Sequence, residues 1–143
     1  VGSNATHVES KRITKDIRNL MIANRNNIVI PTVGANPQKI MGEIKAYKDA
    51  GYQVNLVDVV VPKEEALRRM LLRFIKSGKL IPPEYMGEVG DLPSLTYDIL
   101  RKEGVADGYA RIDNSVGIEV PKPLIEDTAD IFTDAEIRLQ RGR

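Results

Sequence analysis

Short β-branched runs alternate with amphipathic helical stretches, joined by short connections, and this alternation limits the fold more than any other feature of the chain. Gln53 to Val61 (QVNLVDVVV) is the strongest strand signal, and Pro62 ends it. Ile28-Val29-Ile30 is shorter, is closed by Pro31 and Gly34, and reads as a strand buried on both faces. Helical periodicity surrounds both runs. Val8, Ile13, Ile17, Leu20 and Met21 recur at helical spacing from about Thr6 to Asn24. Pro37 opens a second helix that reaches about Ala50, with Ile40, Met41, Ile44 and Tyr47 in one stripe and Gly51 as its stop. Lys63 to Ser77 is a third, with Gly78 just past its end. Its apolar side is Ala66, Leu67, Met70, Leu71, Phe74 and Ile75, and Glu64 and Glu65 sit at the positive end of its dipole. Strands separated by helices imply βαβ units with right-handed crossovers. The expected fold is therefore α/β, a three-layer parallel sheet in which Ile28–Ile30 and Gln53–Val61 are neighbours or near-neighbours.

Beyond Pro82-Pro83 the periodicity weakens. Leu92 to Glu103 reads as a helix and Gly108 to Ser115 as a further strand ending in a turn. Gly117 to Phe132 reads as irregular, with Pro121 and Pro123 inside it, and a last short helix is expected from Thr133 to Gln140. At 143 residues the chain has the length of one domain.

Composition removes several classes of chemistry. With no Cys, disulfide scaffolds, zinc–thiolate sites and cysteine nucleophiles are excluded. A single His, His7, excludes any mechanism that needs two, and this one reads as structural or exposed. Lys plus Arg is 21 against 20 Asp plus Glu, and aromatics are 5%, so the chain lacks the basic excess and stacking surface of a nucleic-acid binder. No apolar run approaches the ~18 residues of a membrane span and no signal peptide opens the chain, so the expected location is cytoplasmic.

Open α/β sheets bind ligands beyond the C-terminal ends of their strands. That directs attention to Pro31-Thr32-Val33-Gly34 and to the chain after Val61. The phosphate-cradling GxxxxGK[ST] loop is absent, as is GxGxxG. Ser77-Gly78-Lys79-Leu80 imitates the end of the first, but Arg73 stands where its leading Gly belongs and Leu80 cannot ligate magnesium. Arg69 and Arg73 are four apart, hence on one helix face, and Lys79 follows the helix end. Three cations so placed suit either a clamp on a transferring phosphoryl group or a plain solvated basic face. Glu9 suits either a hydrogen bond to a sugar or nucleotide, or a first-turn charge at the helix dipole. Thr32 suits a ligand contact or turn chemistry beside Pro31. Asp113-Asn114 suits a site edge or a simple turn.

In order and spacing these segments resemble the central and C-terminal parts of the zeta-toxin family of P-loop kinases. The resembling pieces are His7-Val8-Glu9-Ser10 opening a helix, Asn27-Ile28-Val29-Ile30-Pro31-Thr32, and Ala50-Gly51-Tyr52-Gln53-Val54-Asn55-Leu56 entering a strand. Ala66 through Arg69, Arg73-Phe74, and Ser77-Gly78-Lys79-Leu80-Ile81-Pro82-Pro83-Glu84-Tyr85 complete them, so that roughly residues 5 to 115 are covered. The resemblance implies a phosphotransferase using ATP and magnesium, whose best-known substrate is the 3′-hydroxyl of a UDP-N-acetyl amino sugar. It implies that Arg69 contacts the ATP phosphates with Arg73 nearby, both in catalytic roles. Lys79 would take a second clamp position where the family more often has Arg, keeping the charge but losing the bidentate fork. Glu9 and Thr32 become substrate-side contacts, although the family often reads IDGT where this chain reads Ile30-Pro31-Thr32.

The family's phosphate-binding loop and general-base Asp lie upstream of the helix carrying Glu9. The chain starts at Val1, not Met, so the expectation is the C-terminal portion of a larger kinase domain lacking its first βα unit and inactive as it stands. A small-molecule substrate and an antitoxin protein are the implied partners. Self-association is expected too, since an exposed sheet edge pairs with other chains. The alternative is a non-catalytic α/β nucleotide-binding or regulatory module.

Overall fold

A computed structural model describes residues 3–78, 83–115 and 124–132. The chain divides into two compact units, Val1–Thr32 and Val33–Arg143. The first is built on helix α1 (Ser3–Ala23). It closes where Arg25 takes a left-handed φ of 55° and the Asn26 N–H returns to the Met21 carbonyl at 3.0 Å. Val8, Ile13, Ile17 and Leu20 stay exposed along it. Ile28–Ile30, expected as a strand, forms none, and Val29 is 95% exposed. A strand exists only through its ladder, and among the described residues nothing pairs with this run. It is therefore not the sheet neighbour of Gln53–Val61.

The second unit runs α2 (Pro37–Asp49), β1 (Asn55–Val60), α3 (Lys63–Ser77), α4 (Pro83–Val89), α5 (Leu92–Glu103), β2 (Gly108–Asp113) and β3 (Leu124–Asp127). The caps explain the boundaries. Asn36 Oδ1 accepts from the Lys39 N–H at 2.9 Å and Pro37 occupies the first turn of α2. Gly78, left-handed at φ 67°, ends α3, and its N–H returns to the Phe74 carbonyl.

β1 and β2 pair in parallel, Asn55 opposite Gly108 through Val60 opposite Asp113. This is the expected βαβ crossover. The sheet is not wholly parallel, however: its order is β1-β2-β3 and β3 runs antiparallel to β2. The stretch between Asp113 and Leu124 is shorter than the roughly dozen residues a parallel crossover needs, so an antiparallel return is what remains. β3 was masked in the sequence by the adjacent Pro121 and Pro123, which read as strand-breaking.

The core lies on one face of the sheet. Ile40 and Ile44 of α2, Tyr97 and Leu100 of α5, and Ala106 and Tyr109 form one buried cluster, with Met41, Val54, Leu56 and Val105 against it. Leu100 is 0% exposed, and burying such a side chain stabilises by about 2–3 kcal/mol. The Tyr109 hydroxyl donates to the Leu100 carbonyl at 2.9 Å and accepts from the Ala106 N–H at 2.7 Å, so its burial leaves no polar atom unpaired. Val57 and Val59, which alternation puts on the opposite face, stay exposed, while Ala110, which shares that face with Val57, is buried. On α3 only Met70 is buried, while Leu71, Phe74 and Ile75 of the expected apolar side are exposed. The expected helix Thr133–Gln140 lies outside the described residues.

Leu100→Ala is expected to lower unfolding free energy by about 3 kcal/mol in urea melts, through lost transfer energy and a cavity. Gly108 needs no side chain for a different reason. A Cβ there would lie 2.6 Å from Asn55 Oδ1 and 2.8 Å from Ala129 Cβ. Gly108→Ala should therefore cost about 1–3 kcal/mol by overpacking in the same assay.

Candidate functional site

The parallel pair brings the C-terminal ends of β1 and β2 side by side. The Asn114 N–H donates to the Val60 carbonyl at 2.8 Å, carrying the ladder one residue past β2. Asp113 Oδ1 accepts from the Ser115 N–H at 2.8 Å and holds the following turn. The Ser115 side chain, and then its N–H, keep the Asp113 carboxyl below its ordinary range. α3 begins just beyond β1, so its first two turns rise from this same edge.

Arg69 crosses from that helix to the edge. Its Nη2 donates to the Asn114 carbonyl at 2.8 Å, and its Nε donates to Glu65 Oε1 at 2.6 Å, one turn earlier on α3. Glu65 also receives Arg68, through Nε to Oε2 at 2.7 Å and Nη2 to Oε1 at 2.8 Å. Hydrogen bonds from Arg68 and then Arg69 pull the Glu65 carboxyl down to about 2. One carboxylate thus faces two guanidinium groups, and the trio keeps a net positive charge at the edge where open α/β sheets take ligands.

Arg73 lies one further turn along α3 and is exposed. Its main-chain carbonyl accepts the Ser77 hydroxyl at 2.8 Å. Lys79 lies outside the described residues. Glu9 and Thr32 belong to the first unit, and both are exposed. The structure therefore joins Arg69 with Glu65 and Asn114, a set the sequence reading did not assemble. Glu65 stood there only as a dipole partner; its i, i+4 spacing to Arg69 and i, i+3 spacing to Arg68 were the available signal. Asn114 acts through its carbonyl, which no side-chain pattern reveals.

A hard cation such as magnesium needs several oxygen ligands. Among the described residues no group of three or more acidic or His side chains could hold a metal. The described residues therefore do not make a magnesium site by themselves. A nucleotide phosphate fits better, since a guanidinium fork matches its oxygens.

The family model for zeta toxin matches residues 2–114. The chain belongs to the zeta toxin family. Membership points to a P-loop-kinase-like fold and a nucleotide-binding function, and to the use of ATP and magnesium in the family generally. No curated protein and no solved structure matches the chain. The zeta toxin match takes in α1, the run to Thr32, α3 and the β2 edge up to Asn114, and so includes both anchors of Arg69. No described helix is long and apolar enough to cross a membrane.

The charge trio has a titration signature. A carboxyl held at about 2 in the folded chain, against an ordinary value near 4.5, adds stability that is complete above the ordinary value. That stability fades as pH falls through the folded value. Carbon-detected NMR should give a Glu65 midpoint near 2, and the double replacement Arg68→Gln, Arg69→Gln should return it toward 4.5.

Proposed function

We propose that this member of the zeta toxin family is part of an ATP-dependent phosphotransferase acting on a small-molecule hydroxyl, of the UDP-N-acetyl amino sugar class. The observation that carries the reading is Arg69, fixed at the C-terminal edge of the parallel strands by bonds to two different elements. A guanidinium there suits the charge that develops on a transferring phosphoryl group, and a positioned donor needs no reorganisation as that charge appears. In this reading Arg73 and Lys79 add positive charge along the same helix and just beyond it. Glu9 and Thr32 contact the acceptor. No GxxxxGK[ST] occurs in the 143 residues, so in this reading the loop gripping the nucleotide phosphates and most of the magnesium ligands are supplied from outside them. The chain taken alone does not transfer phosphate.

Two features support a further strand beside β1. β1 is the last strand of the described sheet on its side, and its Val57 and Val59 are exposed. An open edge of this kind also supports self-association of the chain alone. An antitoxin partner and a cytoplasmic location complete the proposal.

The test is steady-state kinetics on the complete gene product with ATP and UDP-N-acetylglucosamine. Arg69→Ala is expected to lower turnover on the order of 10³-fold or more while ATP binding changes much less. Near-normal turnover in Arg69→Ala would return the helix to a solvated basic face. Nucleotide binding without any turnover in the complete gene product would favour a non-catalytic binding module.

A further inference from the structure

An arginine near a ligand edge is useful only if its plane is fixed before the ligand arrives. A guanidinium is planar, so holding two of its nitrogens by acceptors on different elements sets both its place and its orientation. Arg69 has that arrangement. Nε is held by Glu65 from the first turn of α3, and Nη2 by the Asn114 carbonyl from the end of β2. Both anchors are themselves restrained. Glu65 is only 19% exposed and is braced by two bonds from Arg68. Asn114 is tied to Val60 through its own N–H and precedes the turn that Asp113 holds.

We propose that Glu65 and the main-chain carbonyl of Asn114 are positioning elements that pre-set Arg69 for a nucleotide phosphate at the C-terminal edge of β1 and β2. A lone Glu–Arg pair would cancel the charge that a phosphate needs. Here Arg68 shares the carboxylate through two bonds of its own, so Glu65 does not face Arg69 alone. Arg68 is 61% exposed, so its charge is well screened by water, and the partly buried Arg69 is the member placed to act. Glu65 touches no substrate in this account; it works through Arg69 alone.

The inference rests on the phosphotransferase reading for its ligand, but the positioning itself is read separately. The first measurement is on the complete gene product with no nucleotide. The Nε–H of Arg69 in wild type should exchange slowly with solvent in ¹⁵N NMR, and Glu65→Ala should speed that exchange and move the resonance toward that of an exposed arginine. An unchanged Arg69 resonance in Glu65→Ala, or fast exchange in the wild type, overturns the positioning role whatever the protein does. The second measurement is on the complete gene product with ATP. Glu65→Ala should lower kcat by about 10²-fold with the KM for ATP altered severalfold at most, the cost of a misplaced group. Glu65→Gln keeps an oxygen acceptor for Nε and should recover most of that loss. A fall in kcat that tracks lost folded protein, with no rescue by Gln, overturns the proposal. If wild type consumes no ATP but Arg69 is immobilised by Glu65, the phosphotransferase reading fails and the positioning stands.

Discussion

The parallel pairing of β1 with β2 is the contact on which the rest of the second unit depends. It sets Asn55 against Gly108 at one end and Val60 against Asp113 at the other. Because side chains alternate, the same register puts Leu56, Asp58 and Val60 on the face shared with Tyr109 and Arg111. That face is the one α5 and α2 cover, through Leu100, Tyr97, Ile40 and Ile44. The register also sets the strand ends level, so that Asn114 can bond Val60 and offer its carbonyl to Arg69. Core and candidate site are two consequences of one pairing.

Polar groups reinforce the helix on the sheet. Arg111 donates to Asp58 at 2.9 Å and to Asp98 of α5 at 2.8 Å, reaches the Ser94 carbonyl at 3.3 Å, and lies 4.5 Å from the Tyr97 ring centre. Burial disfavours its charge, but Asp98 and Asp58 more than restore it. Asp58 is 8% exposed, so its charge is tolerable because Arg111 meets it. β3 joins the same layer. The Tyr97 hydroxyl donates to Glu126 at 2.8 Å, and Arg101 pairs with that carboxylate at 2.7 Å. Burial, then the Glu126 contact, raises the Tyr97 hydroxyl well above its ordinary value, so it remains a donor across any working pH. This network lies on β1, α5, β2 and β3, whereas Arg69 is carried by α3; stability and candidate chemistry rest on different side chains.

Elements written in local pattern were legible in the sequence. α3 runs as its periodicity and closing Gly78 indicate, α5 spans the expected Leu92–Glu103, and β1 and β2 lie within the expected strands. Elements that depend on distant partners were not. Ile28–Ile30 has the composition of a strand but no neighbour among the described residues, and composition cannot supply one. β3 has an ordinary sequence just after two prolines and becomes a strand only because β2 offers it an edge. The same division holds at the site. Arg69 was visible from helical spacing, and the family from the resemblance of successive segments in their order. Glu65 was visible as a residue but not as its partner, and the Asn114 carbonyl is a main-chain group whose place follows from the sheet register alone.

The most direct test of the account is a crystal structure of the complete gene product with a non-hydrolysable ATP analogue and magnesium. The account requires an Arg69 nitrogen about 3 Å from a phosphate oxygen, with Glu65 and the Asn114 carbonyl still on the same guanidinium. A nucleotide held elsewhere, with Arg69 touching no phosphate, would contradict it.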